Sequence, residues 1–136
     1  MTERTLCIFK PDLAANEQHV ASALIRLLAI GLLPVQLARA TMTIAQAARL
    51  YAAHDGQPYH RANIDFVASG PSVVMLLEGP HAVDRLREIV GATDPLRARP
   101  GTLRRMFGTE LPRNAVHATA TAAEVENEIR IFFVVG

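Results

Sequence analysis

No run of apolar residues in this sequence approaches the ~18 that cross a bilayer. The N-terminal Met1-Thr2-Glu3-Arg4 is not the basic-then-apolar leader of a secreted chain. We expect neither a membrane span nor a secretory signal. Cysteine is limited to Cys7, so an intramolecular disulfide is impossible. That fits a reducing compartment, most simply the cytoplasm. Net charge is only +1, which argues against a generic nucleic-acid binder, and we expect no specific nucleic-acid partner. Familiar catalytic signatures are missing too. There is no Gly-x-x-x-x-Gly-Lys phosphate loop, no Gly-x-Gly-x-x-Gly, no His-Glu-x-x-His, no Cys-x-x-Cys and no Gly-x-Ser-x-Gly. His54 and His60 have no third ligand nearby, so a metal held by the protein is not expected. Any phosphate would have to be held by arginines, a lysine and hydroxyls.

Lysine is the next scarcity: Lys10 is the only one among 14 Lys and Arg. Arginine forks onto planar oxyanions, whereas lysine offers a compact point charge on a flexible stem. The arginines are also unevenly spread. Seven lie between positions 85 and 113 (85, 87, 97, 99, 104, 105 and 113), against three acids, Glu88, Asp94 and Glu110. A basic segment on a mildly acidic body suggests an anionic ligand.

What is present is enough for one folded domain spanning residues 1–136. Half of the residues are apolar, and a chain of this length buries roughly two-thirds of its unfolded surface. Residues 5–9 read as a strand that Lys10-Pro11-Asp12 ends, which leaves Lys10 at a strand terminus. Residues 18–30 read as a helix, with Val20, Leu24, Leu27 and Leu28 at three- and four-residue steps and Gly31 as its stop. Residues 33–42 read as a strand with Val35 and Leu37 on one face, and Thr43 with Gln46 as a capping box for a helix running toward Tyr51.

After a turn at 55–58, residues 59–69 read as a helix. The apolar run 73–77 reads as a central strand buried on both faces and broken by Gly79-Pro80. Residues 81–90 form an amphipathic pattern with Val83, Leu86, Ile89 and Val90 inward. Residues 91–112 read as a loop with one helical piece near 102–107. A last strand, 114–118, is followed by Thr121 and Glu124 as a second capping box and a helix over 122–133. Alternating strands and helices, four strands with short connections, favour a ferredoxin-like plan over a doubly wound one.

The last strand carries His117, and the last helix carries Glu128. A histidine at a strand end, with a carboxylate available to orient it, is the layout of a nucleophile or a general base.

Six segments then stand together: Lys10-Pro11-Asp12, Ser69-Gly70-Pro71, Leu77-Glu78-Gly79, Gly91-Ala92-Thr93-Asp94-Pro95, Pro100-Gly101-Thr102-Leu103-Arg104 and Asn114-Ala115-Val116-His117-Ala118. In order and nearly in spacing, from Thr5 to Phe133, they resemble the motif series of nucleoside diphosphate kinases. The resemblance implies a ferredoxin-like α/β subunit with a four-stranded antiparallel sheet. It implies ping-pong transfer of a γ-phosphoryl group from a nucleoside triphosphate, ATP as the usual donor, to a nucleoside diphosphate through a phosphohistidine. Mg²⁺ would be carried on the nucleotide phosphates, with no protein ligands. His117 would be the nucleophile, Glu128 would fix its tautomer, and Tyr51 would place a hydroxyl near it. Lys10 would meet the transferring phosphate and a ribose hydroxyl. Arg87, Thr93 and Arg104 would hold phosphates, Asn114 the ribose, and Tyr59 and Leu111 the two faces of the base. Stacking reads every base alike. Arg85, Arg97, Arg99 and Arg105 match no such role.

The chain also departs from the family pattern. Ala118-Thr119-Ala120-Thr121 stands where Gly-Ser-Asp-Ser is common, Tyr59 where phenylalanine is usual, Met106 where an aspartate is common, and Asn63 where the residue is apolar. Thr119 keeps a hydroxyl for Glu128 or a phosphate, whereas Ala120 removes a carboxylate. The alternative reading is a nucleotide-binding module of the same fold with weak or lost transfer. Many relatives have a longer C-terminal segment that contacts neighbouring subunits, which leaves oligomer size open; a homo-oligomer built from dimers is expected.

Overall fold

A computed structural model describes residues 2–133 of the chain. Four strands, β1 (Thr2–Phe9), β2 (Leu33–Ala40), β3 (Ser72–Pro80) and β4 (Val116–Ala118), form one antiparallel sheet in the order β2-β3-β1-β4. Around it lie α1 (Pro11–Ala14), α2 (Glu17–Ala29), α3 (Ile44–Leu50), α4 (His60–Val67), α5 (Ala82–Val90), α6 (Leu103–Phe107) and α7 (Val125–Phe132). This is the ferredoxin-like, four-stranded antiparallel architecture expected, with the helices divided between the two faces.

β1 and β3 are central and carry the core. Successive side chains of a strand point to opposite faces, so an unbroken apolar run serves two layers at once. Cys7 and Phe9 of β1, with Val73, Met75 and Leu77 of β3, pack against Val20, Ala23 and Leu27 of α2 and Leu86 and Val90 of α5. Leu6, Ile8 and Val74 pack on the other face against Ala47, Leu50, Tyr51, Ile64 and Val67. The short β4 pairs His117 directly opposite Ile8. His117 therefore shares a face with Ile8, on the side where α3, α4 and α7 pack.

Several boundaries differ from the sequence reading for identifiable reasons. Pro11 does more than end the first strand: it occupies the first turn of α1, where its missing N–H costs nothing. Gly79-Pro80 does not break β3. The ladder runs on through Glu3↔Gly79 and Thr2↔Pro80, with the proline at the strand's last residue. Gly79 is needed there because a Cβ would collide with the Gly31 carbonyl oxygen and crowd Leu32.

The Thr43–Gln46 capping box forms, with bonds of 2.9 and 3.0 Å. The second one does not. Thr121 makes no side-chain cap, residues Ala122–Glu124 form a 3-10 turn, and α7 starts only at Val125. Glu124 instead lines the cleft described below. β2 is an outer strand whose Leu33, Val35 and Leu37 are all about half exposed, and a register irregularity at Pro34/Gln36 interrupts the expected alternation.

Replacing Gly79 by alanine is expected to destabilise the fold by about 1–3 kcal/mol, the usual range for forcing atoms into a filled space. A urea melt of Gly79→Ala with an unchanged midpoint would contradict the close approach of β3 to the α2–β2 turn.

Candidate functional site: a histidine beside buried cations

A cleft of about 720 Å³ opens on the β4 side of the sheet. Lys10, Tyr51, Tyr59, Arg87, Thr93, Arg104, Leu111, Asn114, His117 and Glu128, each singled out in the sequence, all line it. They arrive from β1's end, α3's end, α4's start, α5, the 91–115 segment, β4 and α7. The fold, not sequence proximity, brings them together.

His117 leaves β4 with its side chain 14% exposed. Its Nε2 lies 2.7 Å from Glu128 Oε1. Glu128 reaches it from the buried face of α7, alongside Val125, Ile129 and Ile131. The Thr119 hydroxyl donates to the same Oε1 at 3.1 Å. With Glu128 ionised, the short contact requires the hydrogen on Nε2 and leaves the lone pair on Nδ1. The Tyr51 ring stands edge-on to the imidazole, 6.0 Å between centroids and 85° between planes.

Thr119 was expected to contact phosphate or Glu128, and only the second is available. It is fully buried beside the Leu6 backbone and does not reach the cleft.

The floor of the cleft is cationic. Lys10 is 3% exposed and Arg104 7% exposed. Lys10 Nζ donates to Asn114 Oδ1 at 2.7 Å, and Asn114 Nδ2 donates to the Thr93 carbonyl at 2.9 Å. Arg104 is anchored by backbone carbonyls: Nη1 to Gly91 at 2.9 Å, Nη2 and Nε to Val116 at 3.0 and 3.3 Å. Gly91 has φ 89°, and a Cβ there would strike the Thr102 side chain, so this corner closes tightly behind Arg104. Among the described residues, Lys10, Arg87 and Arg104 form no ion pair.

Burial pushes Lys10 down to about 7, with the Arg104 charge adding to the fall and Asp12 opposing it. Burial and then the neighbouring Arg87 lower Arg104 to about 10. His117 is held below its ordinary value chiefly by burial. The hydrogen bond and charge of Glu128 oppose that, while Lys10 and Arg104 reinforce it. Such a site favours a neutral imidazole and is short of negative charge.

Of the seven arginines between 85 and 113, only Arg87 and Arg104 face the cleft. Arg85 and Arg105 bond the carbonyls of Ile30 and Leu96, and Arg113 lies 3.6 Å from Glu110. The basic segment is therefore two cleft arginines plus surface charge. Sequence reasoning missed Arg49, His60 and Asn127, which also line the cleft. Arg49 stands two residues before Tyr51 and His60 one after Tyr59, so the chain neighbours of the expected site residues were the available signal. Asn63, noted only as a departure, lies one helical turn after Tyr59 and lines the same end.

Comparison with known proteins agrees with this geometry. The family model described as nucleoside diphosphate kinase matches residues 3–135. A nucleoside diphosphate kinase of Helicobacter pylori is 40% identical over 133 residues, 98% of this chain and 96% of that protein. Nucleoside diphosphate kinase 1 of Protochlamydia amoebophila is 39% identical over 132 residues, 97% of this chain and 93% of that protein. The solved Aquifex aeolicus nucleoside diphosphate kinase superposes with a TM-score of 0.92 at 34% identity, covering 98% of this chain and 96% of its own. That of Halobacterium salinarum in complex with CDP gives 0.91 at 32% identity, covering 98% and 88%. Fold and site define a nucleotide phosphotransferase of ferredoxin-like architecture. The chain belongs to the nucleoside diphosphate kinase family.

Glu128→Gln removes the nearby charge and weakens the bond that raises the His117 pKa. The imidazole is then expected to titrate lower still, and NMR titration of the His117 ring reads this directly. A rise would contradict the Nε2–Glu128 contact.

Proposed function

We propose that residues 1–136 act as one domain that carries a γ-phosphoryl group between nucleotides on Nδ1 of His117. The observation that carries this reading is the 2.7 Å contact between His117 Nε2 and Glu128, which leaves an Nδ1 lone pair beside the cationic floor of the cleft. A nucleoside triphosphate, ATP as the usual donor, lies with its base between Tyr59 and Leu111 and its ribose hydroxyl on Asn114 and Lys10. Its phosphates lie on Arg87, Thr93 and Arg104.

The Nδ1 lone pair attacks the γ-phosphorus. The bond from that phosphorus to the β–γ bridging oxygen breaks, and the nucleoside diphosphate departs with the electron pair. Glu128, accepting from Nε2–H, stabilises the positive charge that develops on the ring. Arg87, Arg104 and Lys10 offset charge on the phosphoryl oxygens, the main help a protein can give this reaction. A second nucleoside diphosphate then takes the group by the reverse steps.

Among the described residues, no group of three or more His, Cys, Asp and Glu converges as a cation site. Among the described residues, the carboxylates lining the cleft are Glu124 and Glu128, and Glu128 is engaged with His117. This donor set fits a Mg²⁺ ion that rides on the nucleotide phosphates. Bound there, the ion would neutralise phosphate charge.

No helix among the described residues is long and apolar enough to cross a membrane, and with one buried cysteine we place the activity in the cytoplasm. The apolar side chains of β2, with Ile25 and Leu28 of α2 exposed at 65% and 48%, support self-association, with a dimer as the basic unit. Sedimentation velocity of Leu37→Glu should then show a smaller species than the unmodified chain; identical sedimentation would exclude β2 from the contact.

Incubation with γ-labelled ATP and Mg²⁺ is expected to give an acid-labile, alkali-stable phosphoprotein that passes its label to added nucleoside diphosphates. His117→Ala should abolish labelling. Failure of the intact chain to label would sink the reading and favour nucleotide binding without transfer.

A further inference from the structure

The turn that delivers His117 is bent against its preference. Ala115 has φ 71°, in the left-handed region that a residue with a Cβ enters at a cost. The Val116 N–H donates to the Asn114 carbonyl at 2.8 Å across it, which closes a three-residue γ-turn of the strained hand. Ala115 is fully buried, so solvent does not compensate its peptide. The three-residue β4 that follows, Val116–Ala118, pairs with β1 over only three positions. So short a strand is a weak means of enforcing the turn ahead of it.

The turn is gripped from the other side of the fold instead. The Ala115 carbonyl accepts from the Lys10 N–H at 2.8 Å, and the Ala115 N–H donates to Asp12 Oδ2 at 3.0 Å. Both polar groups of a strained residue are thus held by the Lys10–Asp12 segment, more than a hundred positions away in the chain. Asp12 does not line the cleft and forms no ion pair among the described residues. Its Oδ1 is buried without a hydrogen-bond partner, and burial holds the carboxyl above its usual range. The Lys10 charge and the backbone N–H groups of Asp12, Ala115 and Leu13 act against that rise, and of these groups the Ala115 amide is the one reached across the fold.

We propose that Asp12 is a positioning residue: by holding the Asn114–Val116 turn in its left-handed form, it fixes where the His117 ring stands relative to Lys10 and Asn114. The role rests on the phosphohistidine reading above. A release of the turn lets Ala115 relax to negative φ and moves the nucleophile, whereas Asn114 keeps its separate ties to Lys10 and Thr93. Displacements of about 1 Å in a reacting group cost up to about 100-fold in rate. The loss should fall on the chemical step more than on nucleotide affinity.

The test is single-turnover phosphorylation of His117 by excess ATP and Mg²⁺, followed by rapid quench, with ADP affinity measured by calorimetry on each protein. Asp12→Ala is expected to slow phosphorylation by about 10- to 100-fold, with a distinctly smaller change in ADP affinity. Asp12→Asn keeps an acceptor oxygen and should recover most of the rate. Asp12→Ala combined with Ala115→Gly should also recover it, because glycine adopts positive φ without a clamp.

A wild-type rate in Asp12→Ala overturns the positioning role while the phosphohistidine stands. So does an Asp12→Asn as slow as Asp12→Ala together with no rescue by Ala115→Gly, since the charge of Asp12 would then be what matters. Absence of labelling in the unmodified chain overturns the phosphohistidine reading and this role with it. Should Asp12→Ala fail to fold, the double variant decides: folded and active supports the clamp, folded and inactive overturns it.

Discussion

Two basic side chains buried beside each other, with no ion pair among the described residues, set the character of this protein's cleft. Lys10 and Arg104 are almost inaccessible to water and repel one another. Among the described residues, backbone carbonyls and the Asn114 amide oxygen accept from them, and the Tyr51 ring faces Lys10. Desolvating charge in this way is unfavourable until an anion arrives. The fold sustains it because Lys10 follows a central strand, and because Arg104 is tied down at Gly91 and Val116. The field that lowers the Lys10 pKa also helps to keep His117 neutral. On the function proposed above, anion recognition and nucleophile preparation share one electrostatic source, already in place before a phosphate enters.

That arrangement depends on the sheet. β1 supplies apolar side chains to both layers and passes directly into Lys10, and its pairing with β4 puts His117 opposite Ile8. Glu128 lies on the same face of α7 as the residues that pack that helix onto the sheet. Docking α7 and orienting the imidazole are therefore the same event. The Ala118-Thr119-Ala120 segment, the clearest departure from the family pattern, leaves this alignment intact. Thr119 is drawn inside to support Glu128, and Ala120 lines the cleft where a carboxylate is common.

Much of this was legible in the residues. The double-faced run at 73–77, the Thr43–Gln46 box and the glycine stop at Gly31 follow from local chemistry, and each is found in the structure. Lys10 stood out by being alone. What local reading missed depends on groups distant in the chain. The continuation of β3 through Gly79-Pro80 rests on pairing with Thr2 and Glu3. The Thr121–Glu124 sequence has the composition of a cap, yet the chain there forms a 3-10 turn and Glu124 faces the cleft. The inward turn of Thr119 and the part of Asp12 in holding Ala115 are contacts made across roughly a hundred positions or more. No spacing rule encodes them.

The two hydrogens that converge on Glu128 Oε1 have a chemical corollary. Imidazole has two nitrogens, and a phosphoryl group on one or the other gives distinct isomers. With Nε2 committed to the carboxylate, and the Thr119 hydroxyl donating to the same oxygen, one isomer is closed off by geometry before any reaction occurs. On the phosphohistidine reading proposed above, a methyl-bearing hydroxyl buried beneath the carboxylate thereby helps to decide the regiochemistry of the covalent intermediate.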